Sequence, residues 1–403
     1  MPVMPMQPSK KLSQIPPYLF AELDKKVEAA KAQGRDIISL GVGDPDLPTP
    51  QLIVDQLKQS AQDASTHNYP PYQGTKPFRQ AVARWMNTRF GVTVDADTET
   101  LALIGAKEGI AHLIMAYVDA GDVILAPSPG YPVYNNFTLL SGGTPYTVPL
   151  KASNHFLPEL DTIPADILAK AKILFLNYPN NPTGAITTEA FMHEAVAFCK
   201  THQILLCHDN AYSEMTFDGY KAPSFLSVPG AKDVCIEMFS LSKMYNMTGW
   251  RIGFAVGQPQ AIKALGTIKN NCDSGVFKAV QEAAIAGLDN SEALTAGLNE
   301  KYAKRRDIFV AGLNDMGWDY PNPEATFYLW VPVPEGYSDV AFAEHLLNAC
   351  DIVVPPGTGY GPQGAGFFRV ALTQPADRIQ EAIDRMKANG IRFDMKTASA
   401  AQA

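Results

Sequence analysis

Short apolar runs alternate with longer amphipathic stretches through the middle of the chain. Five of the runs are apolar on both faces, which is typical of strands buried in a parallel sheet: residues 123–126, 173–177, 204–207, 235–239 and 252–256. Helical periodicity separates them, for example over residues 107–118 and 188–201. This alternation predicts an α/β fold in which helices flank a mostly parallel sheet, with functional residues at the carboxyl ends of the strands.

The pattern changes near residues 288–290. A long charged helix is predicted over residues 291–316, and after it strands at 327–331 and 367–371 and helices at 339–348 and 376–389. We therefore expect a large domain at 49–290 and a smaller α+β domain at 291–403, with residues 1–48 as an N-terminal arm that packs on the smaller domain. The tail, residues 396–403, is expected to be disordered.

Composition and charge narrow the function classes. The chain has 403 residues and is 46% hydrophobic, without an apolar run long enough to cross a bilayer and without an apolar signal core near its start. Its five cysteines lack metal-site spacing, which indicates buried, reduced thiols and no zinc. The net charge of −8 disfavours nucleic acid as a partner. These features predict a cytoplasmic globular enzyme.

The segment Ser240-Leu241-Ser242-Lys243, with Arg251 eight residues beyond the lysine, carries the most specific chemistry. An amine can form a Schiff base with an aldehyde, while hydroxyls and a guanidinium can hold a phosphate. Pyridoxal 5'-phosphate has an aldehyde and a phosphate at opposite ends. Taken alone, a Ser-x-Ser-Lys segment is more often an ordinary surface lysine that follows a strand, and the motifs below reverse that preference.

Two further motifs follow predicted strands. In Asn180-Asn181-Pro182-Thr183-Gly184 the turn is fixed by proline and glycine, and Asn181 can present an amide to a ligand; the alternative is a rigid loop without chemistry. Asp209 ends a strand, where a carboxylate could meet a protonated ring nitrogen or simply cap a helix. Tyr212 lies close enough in sequence to reach a ring hydroxyl. His208 is expected to be a packed core residue.

Three weaker signals complete the set. Gly105-Ala106-Lys107-Glu108-Gly109 opens a helix, whose N-terminus can bind phosphate. Tyr131 follows a strand and could stack on a planar ring or pack in the core. Arg369 lies in an apolar strand, where it could bind a substrate carboxylate or form an internal salt bridge.

Together these motifs resemble the class I/II pyridoxal-phosphate aminotransferases of fold type I, over about residues 12–392. Further pieces of the resemblance are Gly41-Val42-Gly43-Asp44-Pro45-Asp46 and Tyr69-Pro70-Pro71-Tyr72-Gln73-Gly74. The resemblance implies a homodimer with shared active sites that transfers an amino group from an amino acid to a 2-oxo acid.

The resemblance also implies a role for individual residues. Lys243 would form the Schiff base and act as general base, and Asp209 would pair with the ring nitrogen. Asn181 and Tyr212 would contact the ring hydroxyl, and Tyr131 would stack on the ring. The phosphate would be held by Ala106, Lys107, Ser240, Ser242 and Arg251, with Tyr69 reaching in from the other subunit. Arg369 would bind the substrate α-carboxylate, assisted by Gly43 and Asn181.

Within that family the chain is most similar to the prokaryotic LL-diaminopimelate aminotransferases of lysine biosynthesis, with 2-oxoglutarate as the expected acceptor. Tyr18 aligns with a substrate-contacting tyrosine of that group. Tyr72 replaces a glutamate that recognises the distal ammonium in the plant-like branch, so Glu22, Asp46 and Asp273 are candidates to replace it. The alternatives are an alanine, aspartate or broad-specificity aminotransferase and a pyridoxal-phosphate β-lyase. A transcription regulator is disfavoured because only about 40 residues precede the first helix of the large domain.

Overall fold

The strands lie in one large sheet and two strand pairs in the computed structural model, which describes residues 6–16 and 19–395 and, for 19–24, the backbone only. Within these residues the strands are β1 (Ile38–Ser39), β2 (Thr100–Leu103), β3 (Val123–Ser128), β4 (Thr144–Pro149), β5 (Ala171–Leu176), β6 (Leu205–Asp209), β7 (Cys235–Ser240), β8 (Gly253–Gly257), β9 (Tyr328–Pro332), β10 (Ile352–Val353) and β11 (Phe367–Ala371). The large sheet has the order β2-β8-β7-β6-β5-β3-β4. Its strands are parallel except β8, which is antiparallel to both neighbours.

Helices cover both faces of this sheet, and further helices pack around the end of the chain. The α-helices in the described part of the chain are α1 (Leu19–Ala32), α2 (Gln51–Gln62), α3 (Lys76–Phe90), α4 (Ala106–Tyr117), α5 (Val133–Ser141), α6 (Ala165–Leu168), α7 (Glu189–His202), α8 (Leu241–Met244), α9 (Pro259–Cys272), α10 (Lys278–Asp289), α11 (Ser291–Asp315), α12 (Asp339–Cys350) and α13 (Ala376–Ala388). None of these helices is long and apolar enough to cross a lipid bilayer.

Each face of the sheet has its own apolar core. Residues of α4, α5 and α9 pack with one set of strand side chains, and residues of α3, α7 and α10 pack with the alternate set. Strands β3 and β7 are buried along their full length because both faces are covered. The predicted α/β architecture with a mostly parallel sheet is therefore confirmed.

A third core belongs to the end of the chain. β9 and β11 form an antiparallel pair, and α11, α12 and α13 contribute buried residues around it. β1 pairs in parallel with β10, so residues 38–39 lie beside this part of the molecule. Lys11, near the start of the chain, instead contacts a helix of the large sheet: its Nζ donates to the Leu140 carbonyl of α5 at 2.9 Å. The boundaries at 48/49 and 290/291 remain a prediction.

Some local features differ from the expectations. β2 and β4 were not among the predicted strands; Pro145 and Pro149 interrupt the pattern of β4, and as an edge strand it tolerates proline. Cys272 is exposed rather than buried, since it lies in the last turn of α9. The other four cysteines are buried and free, as expected. The tail from residue 396 lies outside the described residues.

Candidate active site

The carboxyl ends of the parallel strands meet at one edge of the large sheet and form the wall of a cavity of about 440 Å³. The cavity is lined by twelve of the fourteen residues predicted from the sequence to form the site: Gly43, Ala106, Lys107, Tyr131, Asn181, Asp209, Tyr212, Ser240, Ser242, Lys243, Arg251 and Arg369. They come from segments spread over more than 300 residues, so the tertiary fold brings them together.

Lys243 lies in the short helix α8, directly after β7. Its Nζ donates a hydrogen bond of 2.8 Å to the Gly43 carbonyl. Burial lowers the pKa of Lys243 from its usual value to about 8; the nearby Arg369 and Arg251 cations act in the same direction, and Asp44 opposes them. Far more of the amine is therefore neutral near physiological pH than in an ordinary lysine, and the neutral form makes Lys243 both a nucleophile and a proton acceptor.

Asp209 is the last residue of β6 and is almost fully buried. Its Oδ2 accepts a 2.8 Å hydrogen bond from the Tyr134 hydroxyl, and its backbone carbonyl accepts one from Asn177. Its Oδ1 is buried without a hydrogen-bond partner among the described residues. Burial raises the pKa of Asp209 to about 6, against the lowering effect of Tyr134 and His208. A buried carboxylate oxygen of this kind fits a cationic hydrogen-bond donor.

Another part of the cavity is suited to an anion. α4 begins at Ala106, and the first N–H groups of a helix have no acceptor within the helix. The preceding Gly105 has φ +83°, and a Cβ there would lie 2.3 Å from Arg251 Nη2, so glycine is required for the arginine to approach. Lys107 adds a further cation, and its pKa is lowered by partial burial and by Arg251. Ser240 and Ser242 line the same cavity.

Arg369 places a second guanidinium in the cavity, from β11. Its Nη1 donates to Asn181 Oδ1 at 3.0 Å and its Nη2 to the Gly41 carbonyl at 2.6 Å. The guanidinium lies between the rings of Tyr328 and Tyr360, at 4.2 and 4.9 Å from their centroids. The planar group is thereby held in one orientation, as a carboxylate-binding arginine requires.

Gly43 is essential for the shape of this region. A Cβ at this position would lie 2.0 Å from the Tyr328 hydroxyl, so any larger residue would displace the tyrosine. The same hydroxyl lies 3.2 Å from the Tyr212 hydroxyl. Backbone and side-chain groups from both ends of the chain therefore meet beside Lys243.

Three tyrosines of this site were not predicted from the sequence. Tyr328 and Tyr360 line the cavity, and Tyr134 contacts Asp209. A signal existed for Tyr134 alone, because it lies three residues after Tyr131 and so on the same side of a helix start. Tyr328 is brought to the cavity by the pairing of β9 with β11, and Tyr360 lies in a short 3-10 helix at Gly357–Tyr360, before β11.

Tyr69 is 86% exposed and does not line the cavity of its own chain, so its predicted role in the site of the other subunit stays a prediction. Tyr18 lies outside the described residues. The predicted core role of His208 is confirmed, since it is fully buried between Glu237 and the Tyr178 carbonyl.

Two of the three candidates for recognising a distal ammonium are engaged elsewhere. Asp46 pairs with Arg305 at 2.6 Å and Asp273 with Lys269 at 2.9 Å, and neither lines the cavity. The side chain of the third, Glu22, is not described. Asp44 does line the cavity, as the exposed neighbour of Gly43.

Comparison with known proteins shows similarity to one family in sequence and to solved structures in fold. The sequence profile of the family described as aminotransferase class I and II matches residues 35–386. LL-diaminopimelate aminotransferase 2 of Trichormus variabilis is 56% identical over 389 residues, which cover 96% of this chain and all of that protein. The LL-diaminopimelate aminotransferase of Moorella thermoacetica is 51% identical, over 95% of this chain and 98% of its own. Among solved structures, substrate-bound BacF from Bacillus subtilis superposes with a TM-score of 0.92 at 35% identity, over 98% of this chain and all of BacF.

Proposed function

Because this chain belongs to the class I and II aminotransferases, a family of pyridoxal-phosphate enzymes, we propose that it binds pyridoxal 5'-phosphate and transfers an amino group from LL-diaminopimelate to a 2-oxo acid, with 2-oxoglutarate as the acceptor. The observation that carries the proposal is the cavity in which the Lys243 amine, the free Asp209 oxygen and the α4 N-terminus occur together. The names of the relatives described above support the choice of donor and a place in lysine biosynthesis.

The residues present fit this cofactor at each of its ends. Asp209 Oδ1 is a buried carboxylate oxygen without a partner among the described residues, which suits a protonated ring nitrogen. The α4 N-terminus, Ser240, Ser242 and Arg251 offer donors to a phosphate. Lys243 supplies the amine for the aldehyde, Tyr131 an aromatic face for the ring, and Asn181 and Tyr212 polar groups for the ring hydroxyl.

The chain's own residues then bind the substrate and move its proton. Arg369, oriented by Asn181 and Gly41, binds the α-carboxylate through its guanidinium. Lys243 Nζ removes the proton from the substrate Cα, for which a pKa of about 8 is well matched. The chemistry that bound pyridoxal phosphate supplies is delocalisation of the electron pair left on Cα. Asp209 keeps a positive charge at the ring nitrogen, which that delocalisation needs.

The second ammonium of diaminopimelate requires a negative partner. Within the described residues, Asp44 and Asp209 are the carboxylates that line the cavity. Asp209 is assigned to the cofactor, so Asp44 is left as the group to meet a distal ammonium. Its exposure at the mouth of the cavity fits a substrate that extends outward from Lys243.

A half-reaction titration tests the donor. The purified enzyme loaded with pyridoxal phosphate receives LL-diaminopimelate, L-alanine or L-aspartate without an acceptor, and the absorbance of the bound cofactor is followed. We expect the rate per unit concentration to be at least about 10²-fold larger for LL-diaminopimelate, because a site built for a second polar group discriminates strongly against donors that lack it.

Each other result has a defined meaning. A faster reaction with alanine or aspartate would replace the proposed donor while keeping the aminotransferase. Pyruvate release from a cysteine conjugate without any oxo acid would identify a β-lyase. A protein that develops no cofactor absorbance after addition of pyridoxal phosphate would contradict the proposal as a whole.

We further propose a homodimer in which Tyr69 completes the phosphate site of the other subunit. Tyr69 is 86% exposed, and the aromatic residues Tyr72 and Phe277 are also exposed on the described surface. Exposed aromatic groups of this kind are typical of subunit interfaces.

Mixing of inactive variants tests this arrangement. Lys243→Ala and Tyr69→Ala are each expected to be inactive at limiting pyridoxal phosphate. Refolding them together should restore activity, because in a hybrid dimer one site receives an intact lysine from one chain and an intact tyrosine from the other. Activity that stays at the level of the separate variants would show that each site is built within one chain.

A further inference from the structure

A tyrosine that the proposed function does not use lies directly behind Asp209. Tyr134, in the first turn of α5, is 1% exposed, and its hydroxyl donates the 2.8 Å hydrogen bond to Asp209 Oδ2. The other oxygen, Oδ1, has no hydrogen-bond partner among the described residues. The two oxygens of this cavity-lining carboxylate therefore differ, since Oδ2 is hydrogen-bonded to Tyr134 and Oδ1 has no partner among the described residues.

Aromatic packing fixes the position of the Tyr134 hydroxyl. Its ring stacks on Phe175 with centroids 4.6 Å apart and planes at 11°, and Tyr131 meets it edge-on at 5.9 Å. On the other side of the bond, Asn177 Nδ2 donates to the Asp209 backbone carbonyl at 2.6 Å. Donor and acceptor are both held by elements of the large sheet and its helices, so the carboxylate has little freedom to rotate.

We propose that Tyr134 is a positioning residue for the cofactor: its hydroxyl keeps Asp209 ionised and directs Oδ1 to the ring nitrogen of pyridoxal phosphate. This inference rests on the proposed function, since it assigns a role at the same site. Tyr134 acts through Asp209 and touches neither the substrate nor the reacting atoms. An ionised carboxylate accepts the ring N–H, whereas a protonated one competes for the same position with its own hydrogen.

The charges around Asp209 explain why a neutral donor matters there. Burial raises the pKa of Asp209, and the groups that face it are His208 and Cys207 on its own strand, Tyr212 in the following turn and Tyr134 on α5. Of these, His208 and Tyr134 lower the pKa of Asp209. His208 is itself paired with Glu237, so the direct hydrogen bond comes from Tyr134. Its loss would raise the pKa of Asp209 further and leave more of the carboxyl protonated at neutral pH.

The test compares two ligands and three proteins. The ligands are pyridoxal phosphate and the analogue in which a C–H group replaces the ring nitrogen, and the dissociation constant of each is measured from protein fluorescence. The proteins are the wild type, Tyr134→Phe and the control Tyr320→Phe. The control removes another hydroxyl with a hydrogen-bond partner, the Trp330 amide at 2.9 Å, outside the cavity.

We expect Tyr134→Phe to bind pyridoxal phosphate roughly tenfold more weakly than the wild type, because one hydrogen bond to a charged group is lost. Binding of the analogue should be unchanged, since it has no ring N–H for Asp209 to accept. Unchanged analogue binding also shows that the variant is folded. Tyr320→Phe should bind both ligands as the wild type does.

Three results would overturn the inference. If Tyr134→Phe loses affinity for both ligands by the same factor, Tyr134 supports only the shape of the site. If it loses affinity for neither, the hydrogen bond has no role in binding. If the wild type binds neither ligand, the proposed function fails together with the inference. A wild type that binds pyridoxal phosphate more tightly than the analogue supports the proposed cofactor, whatever the result for Tyr134→Phe.

Discussion

Replacement of Lys243 with alanine is expected to lower the rate of amino-group transfer at least about 10⁴-fold. The Lys243 amine lies in the cavity beside Gly43, and burial lowers its pKa to about 8, so that it can accept a proton from the substrate. No other lysine of the described residues lines the cavity except Lys107, which lies at the α4 N-terminus. The variant therefore retains no amine at the position where the proton must move.

The measurement separates turnover from cofactor binding. Single-turnover rates with LL-diaminopimelate are compared with the dissociation constant for pyridoxal phosphate, which should remain measurable because α4, Ser240, Ser242 and Arg251 are intact. Added methylamine should restore part of the rate by supplying a free base. The exposed Lys304→Ala is the control and should behave as the wild type. Near-normal turnover of Lys243→Ala would refute the assignment of this lysine.

Arg369→Ala is expected to lower kcat/KM by about 10²–10³-fold for amino donors and 2-oxo acid acceptors alike, the effect of removing a buried hydrogen-bonded cation. Both substrates carry the carboxylate that this guanidinium binds. Arg369→Lys should recover only a small part, because an ammonium cannot reproduce the planar fork held between Tyr328 and Tyr360. Steady-state kinetics with each substrate varied in turn give both values.

A second buried arginine provides the matched control. Arg305 is 4% exposed and pairs with Asp46 through both terminal nitrogens, outside the cavity. Arg305→Ala should lower the melting temperature, because it leaves a carboxylate without its partner, and should leave kcat/KM close to the wild-type value below that temperature. If Arg369→Ala changed stability and left kcat/KM intact in the same way, its role would be structural.

Most secondary structure followed from hydrophobic periodicity. β11 was predicted at its observed bounds, and five of the seven strands of the large sheet were predicted to within two residues at each end, whereas β2 and β4 were not among the predicted strands. Such segments are apolar on both faces because helices cover the sheet on both sides, and this burial leaves a clear pattern. β4 was missed because edge position, which makes proline tolerable, is a property of the assembled sheet.

The sequence by itself determined the strand–helix order, and through it the group of chemical side chains that follows each strand. Asp209 ends β6 and Ser240 ends β7, so parallel pairing alone requires that both lie at one edge. The motifs were sufficient to indicate the family, because residues that act together, such as Lys243 and Arg251, lie close enough in sequence to be recognised as one pattern.

Only the tertiary structure decided which residues of distant segments contact one another. In it Asp46 forms an ion pair with Arg305, and Asp44 lines the cavity. Tyr134 is hydrogen-bonded to Asp209, and Tyr328 packs against Gly43. Periodicity reports the burial of a side chain, because burial repeats along an element. It carries no information on which buried groups from remote elements become partners, since that depends on how the helices and sheets pack.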